Sequence, residues 1–285
     1  MTTATADPAP RAARPTRRRR AGGTGRLTTG AGIGLGLAMI WFSLLVLLPL
    51  IAVIVTASEG GWSGFWRILT NEQTFAAVKL TVWTAVQVTI VNVFMGTLIA
   101  WVLVRDDFFG KRLLEVVIDI PFALPTIVAG LVLLSLYGPN SPVGVDVVNT
   151  PRAVFLAFLF VTLPFIVRTV QPVLAELDPE VEQAAVSLGA NRFTTFRRII
   201  LPALTPAIAA GAALSFARGV SEYGSLVLLS GNLPMKTEVT SVRILSSIEN
   251  DRLESAAAVA AVLLLISLIV IVLLDVLQRR VSGRD

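Results

Sequence analysis

Long apolar runs separated by short polar intervals dominate this chain. Hydrophobic positions extend approximately over Gly32 to Thr56, Phe75 to Val104, Leu113 to Tyr137, Ala153 to Val170, Ala203 to Leu229 and Ala256 to Leu277, with charges mainly at the ends. About 20 mostly apolar residues cross the hydrocarbon core as a helix, so the pattern predicts six spanning helices and an all-α integral membrane protein. No internal repeat and no matching pair of interrupted helices stands out.

One stretch breaks the pattern. Glu182 to Pro202, EQAAVSLGANRFTTFRRIILP, favours helix yet is punctuated by polar residues. Glu, Gln, Ala and Leu support a helix up to Leu188, and Gly189 is a C′ stop where a positive φ has no steric cost. Asn191 is placed to cap a second short helix, in which Phe193, Phe196, Ile199 and Ile200 recur at i, i+3, i+6 and i+7. Pro202 stands where the next span can start. The prediction is helix, tight bend, helix, span. Arg192, Arg197 and Arg198 would face headgroups or a partner, and the aromatic face would insert between span ends.

Composition narrows the class. The 285 residues are 54% hydrophobic and 15% charged, and the mean hydropathy is +0.76. Cysteine and histidine are absent, which removes thiolate chemistry, disulfides and the commonest general base and metal ligand. An enzyme is disfavoured, and no metal site or cofactor is expected. The net charge of +5 does not call for nucleic acid, because the arginines cluster beside apolar runs.

Their distribution orients the chain. One side collects the tail with Arg17, Arg18, Arg19 and Arg20, then Arg105, Lys111 and Arg112, then Arg168, Arg192, Arg197 and Arg198, and finally Arg279, Arg280 and Arg284. The other holds Arg67, Lys79, Arg152, Lys236, Arg243 and Arg252. Both termini are therefore expected in the cytoplasm. Residues 1–30 read as a disordered Arg-rich cytoplasmic tail ahead of a transmembrane domain over 31–285. The first run is too long for a cleaved signal and lacks an A-x-A-like end, so it is expected to remain as a span. On the other side, Trp62, Phe65 and Trp66 form an interfacial patch or an ordinary loop, and Tyr137 to Pro142 form a turn-rich connection.

A few polar residues fall inside spans. Arg218 and Glu222 lie i, i+4 apart in the fifth run with Tyr223 beside them, and a charge at that depth costs about 2.5–3.5 kcal/mol on insertion scales. They are either a mutually neutralising structural pair or part of an anion path in which Glu222 holds Arg218. Asp119 sits just inside the third run, followed by Pro121 and Pro125, which bend a helix and expose carbonyls suited to a pore wall or gate. Alternatively, Asp119 snorkels to the edge or pairs with Arg112. Gln87 and Asn92 suit interhelical hydrogen bonds.

The polar interval also carries a resemblance. Gln183, Ala184, Ala185, Gly189, Ile199, Leu201 and Pro202 resemble the EAA loop of ABC-importer permeases, with three residues before the glycine and nine after it. The family's first Glu falls on Gln183, with Glu182 one position earlier. ARGVSEYG from Ala217 to Gly224 and SGNLPMKTE from Ser230 to Glu238 are similar to the T-type permeases of sulfate/thiosulfate importers. LPFIVRTVQPVL from Leu163 and LPTIVAGLVLLSLYGPNSPVG from Leu124 agree. The likeness covers about residues 75–278, with the loop at 175–202.

The resemblance implies a type I ABC importer permease fold in a bacterial inner membrane, with Glu182, Gln183, Ala184, Ala185, Gly189, Ile199, Leu201 and Pro202 forming a coupling helix against an ATPase. Arg218, Glu222, Tyr223, Asp119, Pro121 and Pro125 would line the pathway. Implied partners are a homologous permease as a heterodimer, two copies of an ATP-binding subunit, an extracytoplasmic sulfate-binding protein and membrane lipid. No G-x-x-x-x-G-K-[ST] occurs, and the only Gly-Lys pair, Gly110 and Lys111, lacks its context, so ATP belongs to the partner. One buried arginine is too few to desolvate a dianion, which leaves recognition to the binding protein. A permease for molybdate or another oxyanion, a self-contained channel or carrier, and a membrane enzyme are the alternatives.

Overall fold

The computed structural model describes residues 29–282, so the Arg-rich segment predicted to be a disordered tail lies outside the described residues. The chain forms two units, Met1–Pro49 and Leu50–Asp285. Helix α1, Gly30–Ser58, contains the boundary between them and is as apolar as predicted. In the first unit the described residues are helical throughout, with a wide π turn at Ser43–Leu47.

The second unit is also helical, with no strand among its described residues. After α1 come α2, Gly61–Leu69, and α3, Glu72–Arg105, which Asn71 caps by accepting from the Gln73 and Thr74 amides. Helices α4, Lys111–Ala123, and α5, Thr126–Tyr137, follow. Next are α6, Pro151–Glu176, and α7, Pro179–Ser187, then α8 over Arg192–Val220. The chain closes with α9, Gly224–Leu229, α10, Thr240–Glu249, and α11, Leu253–Ser282.

Two predicted spans take a different form. The third is bent by 120° between α4 and α5. Pro125 cannot donate, and its ring drives Leu124 to an extended φ of −84° and ψ of 137°. The fifth begins and stops earlier than its apolar run. The short helix expected after Asn191 is not separate from the span but continues through Pro202 to Val220. Over Phe196–Ile200 the helix widens into a π turn, where the Leu201 amide reaches back to the Phe196 carbonyl. That widening ahead of Pro202 relieves the ring–carbonyl clash that ordinarily ends a helix. At the other end the helix stops at Ser221, and the rest of the run turns back as the short α9.

Packing centres on α6, whose most apolar window is 56% buried, against 17% for α11. Helices α3, α6 and α8 pack on one another, α11 lies along α8, and α9 lies along α5. One core cluster joins Val88, Phe158, Phe216, Leu226 and Leu229, and a second joins Leu103, Ile166, Val170, Leu174, Ile200 and Leu204. Within the second unit, Ala57 packs on Ala257 and Ala258. Because lipid is as apolar as these side chains, register comes from close approach and buried hydrogen bonds. Asn92 Nδ2 donates to Thr162 Oγ1 at 2.8 Å, as its position predicts, and the Thr240 amide donates to Thr81 Oγ1 at 2.8 Å.

Candidate functional site

The polar interval folds into a hinge fixed by its own sequence. Asp178 caps α7 by accepting from the Glu180 amide at 2.8 Å, and Pro179 fills the first helical position. At the other end Gly189 has φ +86°; its amide reaches the Val186 carbonyl at 2.9 Å and the Ala190 amide reaches Ala185 at 3.0 Å. These two bonds form a Schellman stop, which requires the left-handed conformation at Gly189. Asn191 then accepts from the Thr194 amide at 2.8 Å and starts α8.

An ion pair and ring contacts hold this hinge to the bundle. Arg105, the last residue of α3, forms an ion pair with Glu182 on α7 and lies over the Trp101 ring at 5.5 Å. Trp101 in turn meets Phe196 edge to face, with centroids 5.6 Å apart. Phe196 thus inserts between span ends as expected, whereas Phe193 is exposed. Between these elements lies a cavity of about 830 Å³ lined by Trp101, Glu182, Gln183, Val186, Phe193 and Phe196. Of the residues read as the docking set, Ala185 is buried, Glu182 and Ile199 are half-buried, and Gln183, Ala184, Gly189, Leu201 and Pro202 are exposed. Leu188 is 89% exposed and Phe193 69%, so the hinge presents large apolar side chains outward.

The charged residues inside spans divide into two groups. Arg218 pairs with Glu222 at 2.7 Å although Glu222 lies beyond the end of α8. Glu222 is 1% exposed; its Oε1 accepts from the Ser225 amide at 2.9 Å and hydroxyl at 2.8 Å, and its carbonyl accepts from Ser241 at 2.6 Å. The buried carboxylate thereby starts α9 and fixes the break. Arg218 uses one nitrogen on Glu222, and its other nitrogens have no partner among the described residues. Tyr223 is part-exposed at the break.

Asp119 does not join them and does not pair with Arg112. It pairs instead with Arg168 on α6, whose Nε donates at 2.7 Å, while Arg168 Nη1 reaches Gln171 at 2.9 Å. The reason is geometric: α4 lies against α6, and the 120° bend at Pro125 holds it there, so the carboxylate faces a neighbouring helix. Pro121 stays within α4 and Pro125 precedes α5. Sequence reading missed Arg168 as a partner, and it missed the pairing of Arg105 with Glu182, because each pair is separated by dozens of residues. Arg168 lies well inside the 26-residue α6, only eight residues before its end, and that position is the signal that could have found it.

Known proteins resemble this chain at two levels. The family described as "Binding-protein-dependent transport system inner membrane component" matches residues 92–283. The sulfate transport system permease protein CysT of Salmonella typhimurium is 41% identical over 266 residues, 91% of this chain and 96% of that protein. The protein of the same name from Synechocystis is 43% identical over 248 residues, 85% of this chain and 87% of that protein. Among solved structures, a bacterial alginate ABC transporter in complex with a periplasmic protein matches with a TM-score of 0.72 at 18% identity, over 88% of this chain and 94% of that one. An amino acid ABC transporter matches with a TM-score of 0.53 over 73% and 94% of the two chains. At such identity the structural matches report the fold alone.

Proposed function

Since the chain belongs to the family of inner-membrane components of binding-protein-dependent transport systems and is a permease subunit of an ABC importer, we propose that it passes sulfate, and thiosulfate as a second substrate. The sulfate reading is supported by the names of its relatives. It is a transport subunit, and ATP hydrolysis falls to a separate partner.

The observation that carries the mechanism is the continuity of α8. This helix runs from Arg192, beside the exposed apolar hinge, to Val220, two residues from Glu222. At about 1.5 Å per residue its 29 residues span roughly 42 Å. A displacement at the hinge is therefore carried toward the Arg218–Glu222 break along one continuous helix. Val186, Leu188 and Phe193 are the contacts expected for an ATP-binding subunit, with Glu182, Gln183, Ala184, Ala185, Gly189, Ile199, Leu201 and Pro202 shaping that surface. Closure of two such subunits on ATP would draw this hinge toward that of a homologous permease and turn the shared path outward; hydrolysis would reset it.

In that path Arg218 offers its free nitrogens to a passing anion while Glu222 holds the side chain in place. Tyr223, Pro121, Pro125 and Asp119 are read as the rest of the wall. A single arginine binds weakly enough to release its ion, so selectivity belongs to an extracytoplasmic binding protein. The arginine distribution supports cytoplasmic termini, a cytoplasmic tail over 1–30 and a transmembrane domain over 31–285. No cofactor of its own enters this reading.

Uptake of labelled sulfate in a deletion strain, complemented with the intact chain or with a chain lacking Glu182 to Gly189, tests both halves. The intact chain should restore uptake, and the shortened chain should insert without restoring it. Sulfate uptake that is normal without the chain overturns the substrate, and uptake that survives the deletion overturns the coupling.

A further inference from the structure

Three arginines from three parts of the chain line one cavity at the Asn71 end of α3, about 50 Å along that helix from Arg105. Arg67 is in the last turn of α2, Arg243 is on α10, and Arg252 immediately precedes α11. Together with Asn71, Thr74 and Ser247 they line one cavity of about 240 Å³. Arg243 is 9% exposed, and its buried Nε has no partner. None of the three guanidinium groups makes an ion pair or donates a hydrogen bond among the described residues.

Four other arginines of this unit are paired. Arg105, Arg168, Arg218 and Arg279 each hold a carboxylate. No carboxylate lines the cavity: Glu238 accepts from Gln73 Nε2 at 2.7 Å, and Glu254 lies over Gly60. A buried cation without a counter-charge is strongly unfavourable, and three like charges around one small cavity add repulsion. A cavity that gathers three arginines, one of them buried with an open Nε, and is lined by no carboxylate suits a ligand of opposite sign.

We infer that this cavity binds a tetrahedral oxyanion. Guanidinium forks match pairs of oxygens on sulfate or phosphate, and arginines from three separate parts of the chain suit a tetrahedron better than a planar carboxylate or a spherical halide. At about 30 Å³ per water, the volume admits such an ion with several waters. Thr74 and Ser247 add hydroxyls to the lining. The exposed, stacked Trp62 and Trp66 on α2 are at home at the headgroup level of a bilayer. The oxyanion is therefore either free in solution or the phosphate of a phospholipid. The site is separate from Arg218 and does not rest on which anion the transporter carries.

The full chain, with its co-purifying transporter subunits in detergent, distinguishes the two sources. Binding of labelled sulfate and of inorganic phosphate is measured against potassium chloride of equal ionic strength, and phospholipid retained through purification is quantified by mass spectrometry. A saturable, chloride-resistant sulfate or phosphate site identifies the free ion, and a tightly retained phospholipid identifies the lipid. In either case Arg243→Gln should weaken the signal about tenfold or more, and Arg67→Gln combined with Arg252→Gln should do the same. Arg67 and Arg252 are exposed, so that second variant reports on binding even where Arg243→Gln fails to fold. Lys79→Gln, on an exposed position of α3, should change nothing. Absence of both signals, or signals that persist in the arginine variants, overturns the inference.

Discussion

Arg105 and Glu182, far apart in sequence, close an ion pair that fastens the hinge helix α7 to the last turn of α3. Both side chains are about a quarter exposed, so the pair contributes on the order of 1 kcal/mol. Its larger effect is positional. Glu182→Arg should leave the melting temperature nearly unchanged and reduce ATP-driven uptake several-fold, and adding Arg105→Glu should restore much of the loss. Uptake and thermal unfolding of the three variants check this.

Gly189 holds a φ of +86° with open space around it, so the obstacle to another residue there is conformational and not steric crowding. Placing an L side chain in the left-handed region costs about 1–2 kcal/mol. Gly189→Ala should weaken the Schellman stop, and Gly189→Val should do so more strongly. Uptake should fall in that order while membrane insertion stays normal, as measured by transport assay and expression level.

Asp119 and Arg168 join α4 to α6 across the lower half of the bent third span. Both are more than a third exposed, which limits the pair to about 1 kcal/mol or less in water-accessible surroundings. Asp119→Asn and Arg168→Gln should each lower the melting temperature slightly. Their combination should be less than additive, and a double-mutant cycle in detergent measures the coupling.

Gly130 on α5 lies against the backbone of α9. A Cβ there would come within 2.6 Å of the Ser225 carbonyl oxygen and 2.9 Å of Ser225 Cα. Backbone cannot rotate aside, so Gly130→Ala should cost about 1–3 kcal/mol through overpacking. Gly219→Ala meets nothing closer than 3.6 Å and should be tolerated. Thermal unfolding of the two variants gives the comparison.

Much of this molecule is legible from spacing. The capping of α7 and α8 by Asp178 and Asn191, the stop at Gly189 and the insertion of Phe196 follow from local chemistry that acts over a few residues. The continuity of α8 was not legible, because Pro202 ordinarily ends a helix and its accommodation depends on a π turn. The early end of α8 was equally hidden. Leu226 and Leu229 are as apolar as a span requires, yet they return into the core of the bundle beneath α5.

By itself the sequence determined an all-helical membrane protein, its apolar segments and the hinge at Gly189, because hydropathy, caps and φ preference act along the chain. The tertiary structure alone decided which charges distant in sequence meet. Arg105 found Glu182, Arg168 found Asp119, and Arg67, Arg243 and Arg252 came to one cavity without a carboxylate. Helix packing brings together residues that no local spacing relates, and in a low-dielectric interior that placement fixes which charges are neutralised and which stay open.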